Sequence, residues 1–327
     1  MTTATFGLFL PTGDWDDAVD AARWAEDNGF HSVSLNDHFV SQDGGQHVPQ
    51  LECLSTLAGI AAVTERIRLV PSVIAAAYRT PALLAKAAAT IDRISHGRFV
   101  LGIGSGWNVA EYQAHGYPFP DAAERLDRLE ETIEVVKAMW TQDDPIHEGA
   151  YFRVEHASSQ PRPVQLPHPP IMVGGSSTHL LRIAARHADQ VNLIPPTHHG
   201  KDFIKDPEGT PQFDRARMRQ RIDTLHRFAA EEGRDPADIQ LTGFVLANLS
   251  ENPDHPTFPR LGSYLGFEDL AAAQASPVAL IGTPQQALEE LHDRVETDGI
   301  THFVVVPTST ETKELLAAEI VPALSPS

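Results

Sequence analysis

Short apolar runs alternate along the whole chain with stretches of helical periodicity, the order of a parallel βα series rather than of separate strand and helix halves. The runs at 6–10, 32–35, 67–74, 99–103, 171–173, 191–194, 241–249 and 301–306 read as strands. Between them 16–28, 50–64, 81–95, 122–140, 180–187, 213–232 and 312–323 read as helices. Ala18, Ala21, Ala22 and Ala25 fall on one face of the first, and Leu126, Leu129, Ile133 and Val136 on one stripe of the longest. Gly29 and Gly97 stand where helix C-caps are expected. Eight strands in βα order close most simply as an α/β fold of the (β/α)8 TIM-barrel class, here one domain over 1–327. Three segments break the rhythm: 141–168, a hairpin or irregular excursion, 195–212, and the proline-rich 250–277. They are expected as insertions on the face formed by the carboxyl ends of the strands.

Composition narrows the class. With 327 residues and 42% hydrophobic content the chain can bury a large core. Its one cysteine, Cys53, rules out an internal disulfide framework and suits a reducing cytoplasm, where a lone thiol is most often a small core residue. A net charge of −19 opposes nonspecific contact with nucleic acid or anionic membranes. No signal-peptide pattern and no bilayer-length apolar run are present, so the expectation is a soluble cytoplasmic protein.

Candidate chemistry gathers where strands end. Gly102, Gly104 and Gly106 alternate past the fourth strand, either clearing one face for a flat ligand or letting a neighbouring element approach. Asn36, Asp37 and His38 follow the second strand, where barrel enzymes place reactive groups, and a histidine there serves as general acid or base or simply bonds within its loop. Gly174, Gly175, Ser176 and Ser177 precede a helix, offering a phosphate site of free N–H groups and hydroxyls, or a plain serine N-cap. Glu111 reads as structural, bonding a neighbouring backbone group. Sixteen histidines occur, but His198 and His199 point apart in an extended chain and no metal motif such as H-E-x-x-H exists, so no metal is expected.

The stretch GIGSGWNVAEYQAHGYPF at 102–119 resembles the luciferase-like monooxygenase superfamily of flavin and deazaflavin enzymes. NDHFV at 36–40, VPSVIAAAYRTPALLAKAAATIDRISHGR at 70–98, PPIMVGGSS at 169–177 and ALIGTPQQALEELHDRVETDGITHFVVVP at 279–307 carry the same likeness, which covers most of the chain. It implies a TIM-barrel oxidoreductase using coenzyme F420, with reduced FMN as the alternative cofactor of a monooxygenase. A noncatalytic flavin-binding protein is the alternative from another class. By the same resemblance His38 handles a proton, Asp37 meets the ring through its backbone, and Ser72 and Val73 are joined by a cis bond behind it. Gly104, Ser105 and Gly106 line the cofactor, Asn108 bonds the ribityl chain or caps the next helix, and Gly174 to Ser177 hold the phosphate. Arg79, Arg182 and Lys201 are candidates for the anionic tail. The implied partners are a small-molecule substrate and a second copy of the chain, covering shallow alanine-rich faces such as 82–91. The sugar-phosphate dehydrogenases of the superfamily have S-D-H-F-x-x-W and a later G-x-G-E, where this chain has Gln42 and Trp107. The aromatic and the acidic partner of the histidine are thus expected to be missing, which argues against sugar-phosphate oxidation.

Overall fold

A computed structural model describes residues 3–41, 47–196 and 202–325. The chain runs through β1 (Thr5–Phe9), α1 (Trp15–Asp27), β2 (Ser32–Leu35), α2 (Cys53–Val63), β3 (Arg68–Pro71), the two-residue β4 (Ile74–Ala75), α3 (Pro81–Ile94) and β5 (Leu101–Gly104). Then come α4 (Val109–Ala114), α5 (Ala122–Thr141), the hairpin β6 (His147–Glu148) and β7 (Arg153–Val154), β8 (Ile171–Gly174), α6 (Thr178–His187), β9 (Gln190–Leu193) and α7 (Arg215–Glu231). The last third holds β10 (Gln240–Leu249), α8 (Thr257–Tyr264), α9 (Leu270–Gln274), β11 (Ala279–Gly282), α10 (Pro284–Asp298) and β12 (Ile300–Pro307). Side-chain caps start the helices where the sequence changes character: Thr80 accepts from Leu83 N ahead of Pro81, and Thr283 with Gln286 forms a capping box ahead of α10. The eight expected strands correspond to β1, β2, β3 with β4, β5, β8, β9, β10 and β12, so the fold is of the α/β, (β/α)8 class.

Contacts divide the chain into two compact units. One contains the residues up to 9, 25–32 and those from 175 on. In it β1 runs parallel to β12, β12 to β10 and β10 to β9, while β11 pairs with the last residues of β10. Phe6 and Phe303 stack at 6.0 Å between ring centres, and Phe258, Leu261 and Leu265 pack on Leu246, Ala279 and Ile281. The other unit contains 10–24 and 33–174. There β4 runs parallel to β5 and β5 to β8, and Leu69 of β3 bridges to Phe99 just before β5. The α3 and α5 helices pack together, with the buried Trp140 Nε1 donating to the Ala85 carbonyl at 2.9 Å.

Two expectations are corrected. The 141–168 segment follows a helix and precedes a strand, so it joins the end of α5 to the start of β8, at the amino ends of the strands. Gln165 accordingly bonds Asp92, at the end of α3, and the Phe99 carbonyl. Only 195–212 and 250–277 follow strand carboxyl ends. Segment 250–277 is not irregular throughout, since it folds into α8 and α9, the latter capped by Asp269. On α3, Ala85, Ala88 and Ala89 are buried within the chain, while Leu83 and Thr90 are exposed and Ala82 and Ala87 half-buried.

Candidate active site

His38 lies just past β2, and its environment is built from the segments that follow β4 and β5. Asn108 accepts from Glu111 N at 3.2 Å and so caps α4, which delivers Glu111 to the imidazole. His38 Nδ1 meets Glu111 Oε2 at 2.7 Å; the histidine side chain is 14% exposed and that of Glu111 1%. The Phe39 and Val40 N–H groups donate to the other carboxylate oxygen at 2.6 and 3.0 Å, and the Tyr78 hydroxyl to Oε2 at 3.0 Å. Burial alone would raise the Glu111 pKa, but the hydrogen bond and charge of His38, with the two N–H groups, outweigh it and hold the carboxyl below its ordinary value. Burial first, then the Glu111 charge and bond, push the Tyr78 hydroxyl well above the phenol range, so it acts only as a donor. The Trp107 ring stands edge-on to the imidazole, 5.5 Å between centres.

A second clamp holds the residue before His38. Arg79 donates in a fork to Asp37, at 2.7 and 2.8 Å, and also to Glu52, the N-cap of α2. Asp37 accepts the Ala75 N–H at 3.0 Å as well. Burial would lower the Arg79 pKa, yet its two carboxylate partners outweigh that and keep it charged. One short stretch, 75–79, therefore anchors both Asp37 and, through Tyr78, Glu111. Arg79 thus spends three of its N–H groups on Asp37 and Glu52, which weighs against its use for an anionic coenzyme tail. Arg182 pairs with Glu231 and lies over the Phe228 ring at 3.9 Å. Lys201, Gln42, His198 and His199 lie outside the described residues.

The Ser72–Val73 peptide is cis, as the resemblance implied. A Cβ at Gly104 or Gly174 would come within 2.9 Å of a Val73 methyl, one at Gly102 within 1.9 Å of the Pro71 carbonyl, and one at Gly106 within 1.9 Å of the Tyr112 hydroxyl. The glycines thus make room for protein atoms, the second of the two readings of their alternation. Part of this surface stays accessible. His38, Ser72, Val73, Ser105, Gly106 and Asn108 are all half-buried at strand ends in one unit, leaving small side chains and backbone within reach of a ligand. In the other unit Gly175 N donates to the Asn192 carbonyl, Ser176 Oγ to the Ile194 carbonyl at 2.7 Å, and Ser177 caps α6 through Leu180 N. Ser176 thus spends its hydroxyl proton within the protein, whereas Ser177 Oγ accepts as an ordinary cap and keeps its own O–H to donate to an anion.

Residues 1–207 match the sequence profile of luciferase-like monooxygenases. The chain belongs to this family. The F420-dependent glucose-6-phosphate dehydrogenase of Intrasporangium calvum is 27% identical over 321 residues, covering 94% of each chain. The FMNH2-dependent dimethylsulfone monooxygenase of Pseudomonas putida is 34% identical over 168 residues, 51% of this chain and 46% of its own. Among solved structures, the coenzyme F420-dependent tetrahydromethanopterin reductase of Methanopyrus kandleri gives a TM-score of 0.78 at 20% identity over 99% of this chain and 100% of its own, which shows a shared fold. In this luciferase-like chain the aromatic and the acidic partner of His38, expected to be missing, are both present. Trp107 itself supplies an aromatic beside His38, and Glu111 supplies the acidic partner. The pairing of His38 with Glu111 spans 73 residues of sequence and is invisible in any local pattern.

Proposed function

We propose that this luciferase-like protein is an F420-dependent oxidoreductase moving a hydride between the deazaflavin and a small organic substrate, with His38 as the proton partner. The observation that carries the reading is the half-buried imidazole gripped by an ionised carboxylate, with reachable small residues at the neighbouring strand ends. The glucose-6-phosphate dehydrogenase relative and the tetrahydromethanopterin reductase that shares the fold are both F420-dependent by name, and each covers nearly the whole chain. When bound, the 8-hydroxy-5-deazaflavin supplies hydride and does not activate oxygen. His38 Nε2 gives the proton that balances hydride addition to an activated C=C, C=N or C=O group, and takes it back in the reverse direction. Ser72, Val73, Gly104, Ser105, Gly106 and Asn108, with the backbone of Asp37, are the residues proposed to face the ring. Gly174 and Gly175, with the N–H groups of Ser176 and Ser177, are proposed to meet the phosphate.

A monooxygenase using reduced FMN is the second reading, favoured by the stretch shared with the dimethylsulfone enzyme. A noncatalytic flavin-binding role is disfavoured by the investment of buried charge around His38. A single domain over 1–327, a homodimer and a cytoplasmic location belong to the same proposal; among the described residues no helix is long and apolar enough to cross a membrane. The test is to mix the protein with equal F420 and FMN, remove free cofactor by gel filtration and record the visible spectrum. Retained F420 supports the proposal; retained FMN alone overturns it.

A further inference from the structure

We infer that Glu111, aimed by the Tyr78 hydroxyl, fixes His38 as the Nδ1–H tautomer and thereby makes Nε2 the nitrogen that exchanges the proton. This rests on the proposed proton role of His38, but its geometry is independent of the cofactor. Four donors converge on the Glu111 carboxylate: the Phe39 and Val40 N–H groups on Oε1, and Tyr78 and His38 Nδ1 on Oε2. An ionised carboxylate accepts and never donates, so the 2.7 Å contact requires the proton to sit on Nδ1. Among the described residues His38 Nε2 has no hydrogen-bond partner, which leaves its lone pair or its proton for a ligand.

The second oxygen is what separates positioning from scaffolding. Holding the backbone at 39–40 engages only Oε1, and that task alone would leave Oε2 free to face water or any donor. Instead Oε2 is shared by the imidazole and a phenol that cannot swing away. The Tyr78 ring is buried, 4.7 Å from both Phe39 and Tyr112 between ring centres, and the Tyr117 hydroxyl bonds the Tyr78 carbonyl at 3.2 Å. The hydroxyl thus sets the direction of Oε2, and Oε2 sets the tautomer and plane of the imidazole. Trp107, edge-on to the ring, limits its rotation from another side. Glu111 and Tyr78 are accordingly positioning residues, and His38 alone of the three is placed to touch substrate.

The experiment is long-range proton–nitrogen NMR on the full chain labelled with 15N-histidine, without cofactor, with His38 identified by the signals lost in His38→Ala. The wild type should show Nδ1 protonated and Nε2 bare at a pH where the ring is neutral. Glu111→Gln keeps a carbonyl for the Phe39 and Val40 N–H groups but turns an amide N–H toward Nδ1, so the proton should move to Nε2. In that variant kcat should fall by about 10²-fold with KM and cofactor affinity unchanged. Tyr78→Phe should keep the Nδ1–H form and lower kcat by a smaller factor; an unchanged kcat would remove Tyr78 from the account. A wild-type ring protonated on Nε2, or a Glu111→Gln ring still protonated on Nδ1, overturns the inference. Should Glu111→Gln fail to fold, the wild-type spectrum alone still decides the tautomer. Failure to bind F420 would overturn the cofactor reading and leave this result standing.

Discussion

Two largely buried histidines of this chain differ in one respect that decides what each can do. His38 meets a carboxylate through Nδ1, at 2.7 Å, and keeps Nε2 for a ligand. His302 sits between two hydroxyls, Thr5 Oγ1 at 2.8 Å from Nδ1 and Ser32 Oγ at 3.2 Å from Nε2. A hydroxyl donates or accepts as required, so His302 satisfies its neighbours in either tautomer, whereas a carboxylate permits one orientation of the proton. Location follows the same division. His302 lies near the start of β12, opposite the first residue of β1, where barrel side chains serve stability; His38 lies past the carboxyl end of β2, where they serve chemistry. Histidine itself therefore signals little; its partner's capacity to donate separates a wedge in the core from a proton-handling group.

The comparison breaks most readily at His38. His38→Ala should lower turnover by about 10²- to 10⁴-fold on whichever activated substrate proves active, with cofactor affinity nearly unchanged. An unaltered rate at saturating substrate would make the two histidines equivalent. The opposite variant sharpens the contrast: His302→Ala should leave turnover intact while the stranded Ser32 hydroxyl costs about 1–3 kcal/mol in unfolding free energy, read from denaturant midpoints. Loss of activity in folded His302→Ala would erase the distinction. The smallest effect is on acid stability. Because the folded-state pKa of Glu111 lies below its ordinary 4.5, its stabilisation is complete above the unfolded value and lost as the pH falls through the depressed folded one. Wild type and Glu111→Gln should differ most near neutrality and converge only well below pH 4.5; a gap independent of pH would contradict the charged state assigned to Glu111.

The strands were legible in the sequence because parallel strands covered on both sides read as plain apolar runs, and each of the eight was recovered to within a few residues. Two short helices in 250–277 were not, since prolines mask a helix of eight residues, and one of five is hardly longer than its cap. The face carrying 141–168 was misplaced, although chain order alone decides it: a segment after a helix returns at the strand starts. At the site, Asn108 is legible as a helix cap, and His38 stands out by its place after a strand only as one of two readings. The partners were not legible, because Glu111 and Arg79 reach His38 and Asp37 across 73 and 42 residues, and no local pattern states where a side chain will end. Of the two readings the glycines allow, the structure shows the close approach of neighbouring atoms, those of Val73, Pro71 and Tyr112.

The central claim, that this luciferase-like chain works with the deazaflavin, is tested most directly by titrating F420 and FMN separately into the purified full-length protein and following fluorescence quenching. The account predicts saturable quenching of F420 and no comparable response from FMN. Tight saturable FMN binding without affinity for F420 would contradict it.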